Sequence, residues 1–167
     1  MILRTSLSTR THNLAASLIC LFALLTAFIL QYADHLSPCP LCIFQRAFYL
    51  LAGVVFLLAT FHSRPSILKT DAILSGLFSL GGALIAGRQI WIQHLPSDQV
   101  PACLPNLGSL FHYLPALKVI SMVLKGSGDC AIVNWRLWGM SMPEWSLLCF
   151  LALFLISLKI LFSTKDS

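Results

Sequence analysis

The residues that could do chemistry are sulfurs. Six cysteines occur in the 167 residues, and two of them form Cys39-Pro40-Leu41-Cys42. A pair at this spacing suits thiol–disulfide exchange, because a thiolate can attack or release its neighbour with little movement. Pro40 is well placed as a first helical residue, which puts Cys39 near the cap and Cys42 in the first turn. A thiolate there meets the positive end of a helix and unpaired backbone N–H groups. Cys103 and Cys130 follow at wide spacing. A structural zinc site would call for two close pairs, and only one is present, so zinc is disfavoured and no metal is expected. Cys20 and Cys149 fall inside apolar stretches, where a lone cysteine usually packs as a small hydrophobe, and they are assigned no chemistry. There is no Gly-rich phosphate loop, no Ser/His/Asp arrangement and no paired carboxylates.

Arg46 lies four residues after Cys42, on the same helical face. It should sit roughly 6 Å deeper along the helix. An arginine on an apolar helix is costly, which makes function the default hypothesis. Two roles stay open: stabilising the Cys42 thiolate, or polarising an oxygen of a bound ligand. Arg88 is near the end of another apolar stretch and is read as snorkelling. His94, at the same boundary, could donate a hydrogen bond to a ligand near Cys42.

These residues must be positioned by membrane helices. The chain is 57% hydrophobic and only 10% charged. That is too few charges for the surface of a water-soluble fold of this length. It excludes a typical cytosolic enzyme, a nucleic-acid binder and a disordered chain. Four apolar stretches are near the ~20 residues that cross a bilayer as a helix. The expected fold class is all-α: an integral membrane four-helix bundle in one domain over 1–167, with helices at about 14–32, 43–61, 72–93 and 145–162. The first stretch has an apolar core longer than the ~7–15 residues of a signal peptide, so a retained helix is expected. Arg4, Arg10, Arg64, Lys69 and Lys165 fall on one side, whereas on the other the segment 33–42 has no Lys or Arg and the long loop has Lys118, Lys125 and Arg136 offset by Asp98, Asp129 and Glu144. Both termini should then be cytoplasmic, with loops 33–42 and 94–144 on the outer side. All four cysteines Cys39, Cys42, Cys103 and Cys130 fall on that side, where disulfides persist if it is periplasmic. The four tryptophans also fall there, as an interfacial belt would. Ser75, Ser79, Ala83 and Gly87 make a stripe of small side chains suited to close helix packing. Ala116–Lys125 reads as a short amphipathic helix in the long loop, lying on the membrane or packing on the bundle, with Gly126 and Gly128 after it.

The ordered set of motifs resembles the DsbB family of bacterial inner-membrane disulfide bond formation proteins. It comprises Cys39-Pro40-Leu41-Cys42-Ile43-Phe44-Gln45-Arg46, Gly87-Arg88-Gln89, Cys103, Ser127-Gly128-Asp129-Cys130, Trp135, and the run from Gly139 through Met142-Pro143-Glu144-Trp145. The resemblance spans nearly the whole chain. It implies a quinone-dependent thiol oxidoreductase, using ubiquinone or menaquinone, that reoxidises a DsbA-like thioredoxin-fold oxidase of the periplasm. Carried over by position, Cys103 and Cys130 would form the outer disulfide, with Cys103 joined to the partner. Cys39 and Cys42 would be the inner pair, with Cys42 against the quinone. Arg46 would hold and activate the quinone, and His94 occupies a position close to it. Membrane lipid and the quinone pool are the other implied partners. Specialised members serving a dedicated partner share these motifs. In a vitamin K epoxide reductase-like enzyme the loop cysteines precede the close pair, and here they follow it. An inward electron carrier would need paired intramembrane cysteines, and a scaffold with structural disulfides would leave Arg46 without a role.

Overall fold

The computed structural model describes residues 2–33, 38–96, 98–102, 110, 112–133 and 135–163, with side chains of the first helix described from Thr9 onward. The chain order is α1 (Ile2–Ala33), α2 (Pro40–Phe61), α3 (Pro65–Gln93), α4 (Ala116–Lys125), a 3-10 turn (Gly128–Cys130), β1 (Arg136–Leu137), β2 (Met140–Ser141) and α5 (Met142–Ser163). Four of these helices, α1, α2, α3 and α5, are long and apolar enough to cross a membrane. Large side chains such as Phe22, Leu84 and Leu155 point outward, more than 60% exposed. Such a surface suits hydrocarbon rather than water. The protein is an all-α membrane bundle carrying a short amphipathic helix.

The helix starts follow local chemistry. Cys39 is the extended N-cap of α2, and Pro40 occupies the first turn. α3 begins at Pro65, ahead of the apolar run expected from 72, because its first turns carry Lys69 and Asp71 and are polar. Asp71 also pairs with His62 Nδ1 at 2.6 Å, closing the short α2–α3 connection. α5 begins on Ser141 and Glu144, spaced as a capping box. The Glu144 carboxylate accepts from both the backbone N–H and the hydroxyl of Ser141, the latter at 2.9 Å.

Small residues of α3 let α5 approach closely, as the stripe predicted through Ser75, Ser79 and Ala83 but not through Gly87. The Ser75 and Ser157 hydroxyls are 3.1 Å apart, and Ser79 and Ala83 are buried. A Cβ on Gly82 would come within 2.3 Å of the Phe150 ring, whereas one on Gly87 would meet nothing within 4 Å. The close contact therefore falls on Gly82, one helical face away from Gly87. Tyr49 of α2 stacks on Phe150 at 4.0 Å between ring centroids. Together with Ala16, Cys20, Phe56 and Leu153 they form the core of the bundle.

Between α3 and α5 the chain folds over one end of the bundle. α4 buries Val119 and Val123 completely and leaves Leu117 83% exposed. It thus packs on the bundle through one edge, as one of the two expected readings had it, and turns an apolar side chain outward. β1 and β2 pair antiparallel, Arg136 opposite Ser141 and Leu137 opposite Met140. Trp138 (φ 53°) and Gly139 (φ 81°) make the two-residue turn between them. Both lie in the left-handed region, as primed hairpin turns require.

Candidate active site

Three cysteines from two distant segments meet at the covered end of the bundle. The Cys42 backbone N–H donates to Cys39 Sγ at 3.3 Å, so the N-cap is itself a sulfur. The two Sγ atoms are 2.9 Å apart. Cys130 is fully buried and packs in one buried cluster with Cys39. Its Sγ is also 3.4 Å from Ser127 Oγ. Cys39 thus lies between the two, against Cys42 and clustered with Cys130.

The chain reaches this point by a tightly packed route. Val119 and Val123 of α4 pack with Leu41, Ile92 and Leu110 around Cys39 and Cys130. Gly126 follows α4 at φ 91°, and a Cβ there would fall 2.2 Å from Ile92 Cδ1. Only glycine satisfies both constraints. Arg88, expected to snorkel, instead donates from Nε to Leu124 O at 3.3 Å and from Nη2 to Lys125 O at 3.1 Å. A cation on the last carbonyls of a helix is favourable. It ties the end of α4 to α3, a few residues before Cys130.

The cluster is electrostatically polarised. The hydrogen bond with Cys39 pushes the Cys130 thiol down to about 6, against the opposing effect of burial, and Ser127 and the Leu41 backbone add to the lowering. Cys39 moves the other way, pushed up by its hydrogen bonds to Cys130 and Cys42 and by burial. Cys39 therefore holds a proton while Cys130 favours the thiolate.

Beneath the cysteines opens a cavity of about 620 Å³, lined by both Cys39 and Cys42. Its walls are mostly apolar, from Leu18, Phe22 and Ala23 of α1 to Trp145 and Cys149 of α5. Its polar groups include Arg46, Gln31, Gln45, Gln89 and Gln93. Arg46 Nη1 donates to Gln31 Oε1 and Nη2 to Ala27 O at 3.0 Å. The guanidinium also lies 5.0 Å over the Phe28 ring. Its bonds run to α1, and the polar partner of Cys42 is another residue. Gln89 Nε2 donates to Cys42 Sγ at 3.3 Å and to Cys39 Sγ at 3.4 Å. Gln45 Nε2 donates in turn to Gln89 Oε1 at 2.7 Å.

Of the residues singled out from sequence, Cys39, Cys42, Cys130 and Arg46 are brought together. Cys103 lies outside the described residues. His94 is exposed, with Nδ1 2.8 Å from its own helix at Ile90 O, and it is not among the residues that line the cavity. The neighbouring Gln93 lines it instead and accepts from Ser141 Oγ at 3.0 Å. Gln31, Gln45 and Gln89 have no role in the sequence reading, although Gln45 and Gln89 stand in its motifs. Their signal was a carboxamide in an otherwise apolar membrane helix, where an unsatisfied polar group is costly. Cys149 was read as a packing residue and is part of the cavity wall.

Comparison with known proteins fits this geometry. The family model described as "Disulfide bond formation protein DsbB" matches residues 9–160. A disulfide bond formation protein B of Methylococcus capsulatus is 43% identical over 152 residues, covering 90% of this chain and 93% of that protein. One from Chromohalobacter salexigens is 42% identical over 164 residues, covering 96% and 95%. Disulfide bond formation protein B 1 of Pseudomonas aeruginosa is 42% identical over 147 residues, covering 87% and 90%. By the match along almost its entire length, the chain belongs to the DsbB family of disulfide bond formation proteins.

Proposed function

We propose that this quinone-dependent disulfide oxidoreductase takes electrons from a DsbA-like thioredoxin-fold dithiol and delivers them to membrane quinone at the Cys42 end of the cavity. The observation that carries the reading is the sulfur relay: Cys130 in one buried cluster with Cys39, and Cys39 2.9 Å from Cys42. A partner thiolate attacks Cys103 of an outer Cys103–Cys130 disulfide and frees Cys130 as thiolate. The partner's second thiol then displaces Cys103, which completes the partner's disulfide. The Cys130 thiolate attacks Cys39 of the inner disulfide, so the Cys130–Cys39 bond forms and the Cys39–Cys42 bond breaks. The electron pair stays on Cys42 Sγ. Cys103 displaces Cys39 from Cys130, which restores the outer disulfide and leaves the inner pair reduced. Two electrons and two protons leave the partner for each cycle.

A quinone supplies a two-electron acceptor with two carbonyl oxygens on a flat ring. The cavity suits it, being within the ~300–1,000 Å³ usual for ligand sites and mostly apolar in its walls. Cys42 would face the ring, and Arg46, held by Gln31 and Ala27, would donate to a quinone oxygen. A fixed cation in a poorly hydrated site acts strongly on charge that develops there. Ubiquinone and menaquinone both have this chemistry. Membrane orientation follows the Lys and Arg distribution: both termini cytoplasmic, the cysteine cluster periplasmic. Trp91 and Trp138, both largely exposed near the cluster, support that end as an interface.

The test is turnover. Purified protein should oxidise a reduced thioredoxin-fold partner catalytically with quinone and only stoichiometrically without it. Ubiquinone and menaquinone analogues are assayed separately. Failure of every quinone to support turnover, across several partners, would refute the proposal. The lowered Cys130 thiol adds a pH signature. Its thiolate is present above about 6 and is lost as pH falls through that value. The shift belongs to the fully reduced protein, in which Cys39 carries the thiol proton that lowers Cys130, so ultraviolet thiolate absorbance of that form should show a group titrating near 6 that Cys130→Ser removes. A first thiolate step only near the ordinary ~8.5 would overturn this.

A further inference from the structure

Gln89 and Gln45 are distant in sequence, buried, and joined at the sulfurs. Two carboxamides inside a membrane bundle are costly unless each hydrogen-bonding atom is used. Gln45 is 5% exposed and Gln89 4%. The Gln45 N–H on Gln89 Oε1 decides which end of the Gln89 amide faces the cysteines. Nε2 lies within 3.4 Å of both inner sulfurs, and Oε1, 3.6 Å from Cys42 Sγ, also accepts from the Cys42 thiol when that is protonated. The guanidinium of Arg46 is meanwhile committed to Gln31 and Ala27 on α1.

We propose that Gln89 is the hydrogen-bond donor that stabilises the sulfur released from the inner disulfide, and that Gln45 is a positioning residue that aims it. The inference rests on the reading of Cys39 and Cys42 as the quinone-linked pair. It divides the site between two polar devices. Gln89 serves the sulfurs, and Arg46 serves the ligand that enters the cavity. When Cys130 attacks Cys39, the Cys39–Cys42 bond breaks and its electron pair goes to Cys42 Sγ. The Gln89 N–H is already aimed there, so no group has to reorient as charge develops. A neutral donor stabilises the thiolate without a second buried cation. It stabilises the disulfide less, so it also favours the reduced inner pair at equilibrium.

The test uses full-length protein in lipid nanodiscs with two readouts. The first is the equilibrium constant of the inner pair against glutathione, without quinone, read by alkylation and mass. The second is kcat and KM for quinone. Gln89→Met keeps the length and removes the donor. It should shift the constant toward the disulfide and lower kcat, each about ten- to a hundredfold, with KM within about twofold of wild type. Gln45→Met keeps Gln89 but frees its amide, and should shift the constant in the same direction by about threefold. A folded Gln89→Met protein with an unchanged constant overturns the proposal. So does a raised KM with unchanged kcat, which would place Gln89 on the ligand. If Gln89→Met does not fold, an unchanged constant in Gln45→Met overturns it. A wild-type protein without quinone-dependent turnover would refute the functional reading alone, since the glutathione constant is measured without quinone.

Discussion

Cys39→Ser is expected to abolish multiple turnover, lowering steady-state oxidation of the partner on the order of a thousandfold or more. The reason is connectivity. Cys39 is the sulfur that is buried in one cluster with Cys130 and also 2.9 Å from Cys42. Without it no disulfide joins the outer and inner cysteines, and Cys42 has no neighbour at Cys-x-x-Cys spacing. The outer disulfide can still accept one pair of electrons. A burst of about one equivalent of oxidised partner should therefore appear and then stop. Stopped-flow or quenched assays of partner oxidation read both phases. Sustained turnover in Cys39→Ser would mean that electrons bypass this sulfur.

Arg46→Met should raise the KM for quinone about ten- to a hundredfold, the range for losing a hydrogen bond to a charged group. Methionine keeps much of the stem length, so the wall of the cavity is largely preserved. The inner pair should keep its equilibrium with glutathione, because the sulfurs take their hydrogen bonds from Gln89. Steady-state titration with a soluble quinone analogue measures the effect. An unchanged KM would remove Arg46 from the ligand site. A shifted glutathione constant would return it to the thiolate, the other role that the residue's position left open.

The fold was legible where short-range signals are strong. Apolar runs of membrane length marked four helices. Cys39-Pro40 marked the start of α2, and the amphipathic pattern of Ala116–Lys125 marked α4. The polar first turns of α3 were missed because hydropathy does not register them, although Pro65 stood there as a start signal. The Ser141–Glu144 box at the head of α5 was equally readable and equally local. The site was legible in its reactive atoms and in Arg46. Its supporting groups were not, because Gln31, Gln45 and Gln89 have no special reactivity to draw notice. Their importance lies in what they touch.

Sequence alone determined the chemistry and the medium. A Cys-x-x-Cys pair at a helix start, two further loop cysteines and an apolar chain specify a thiol-exchange protein in a membrane, since each is a property of composition or of neighbours within one turn. Tertiary structure decided the partners. Nothing in the spacing says that Cys130 meets Cys39, that Arg88 binds the end of α4, or that Gln89 reaches α2 at Gln45. Helical periodicity sets which face a residue occupies, but not the depth and rotation at which two helices lock. In this bundle those are set by close contacts such as Gly82 against Phe150 and Gly126 against Ile92. Such contacts depend on side-chain volumes brought together from distant parts of the chain, and they place each donor against its sulfur or carbonyl.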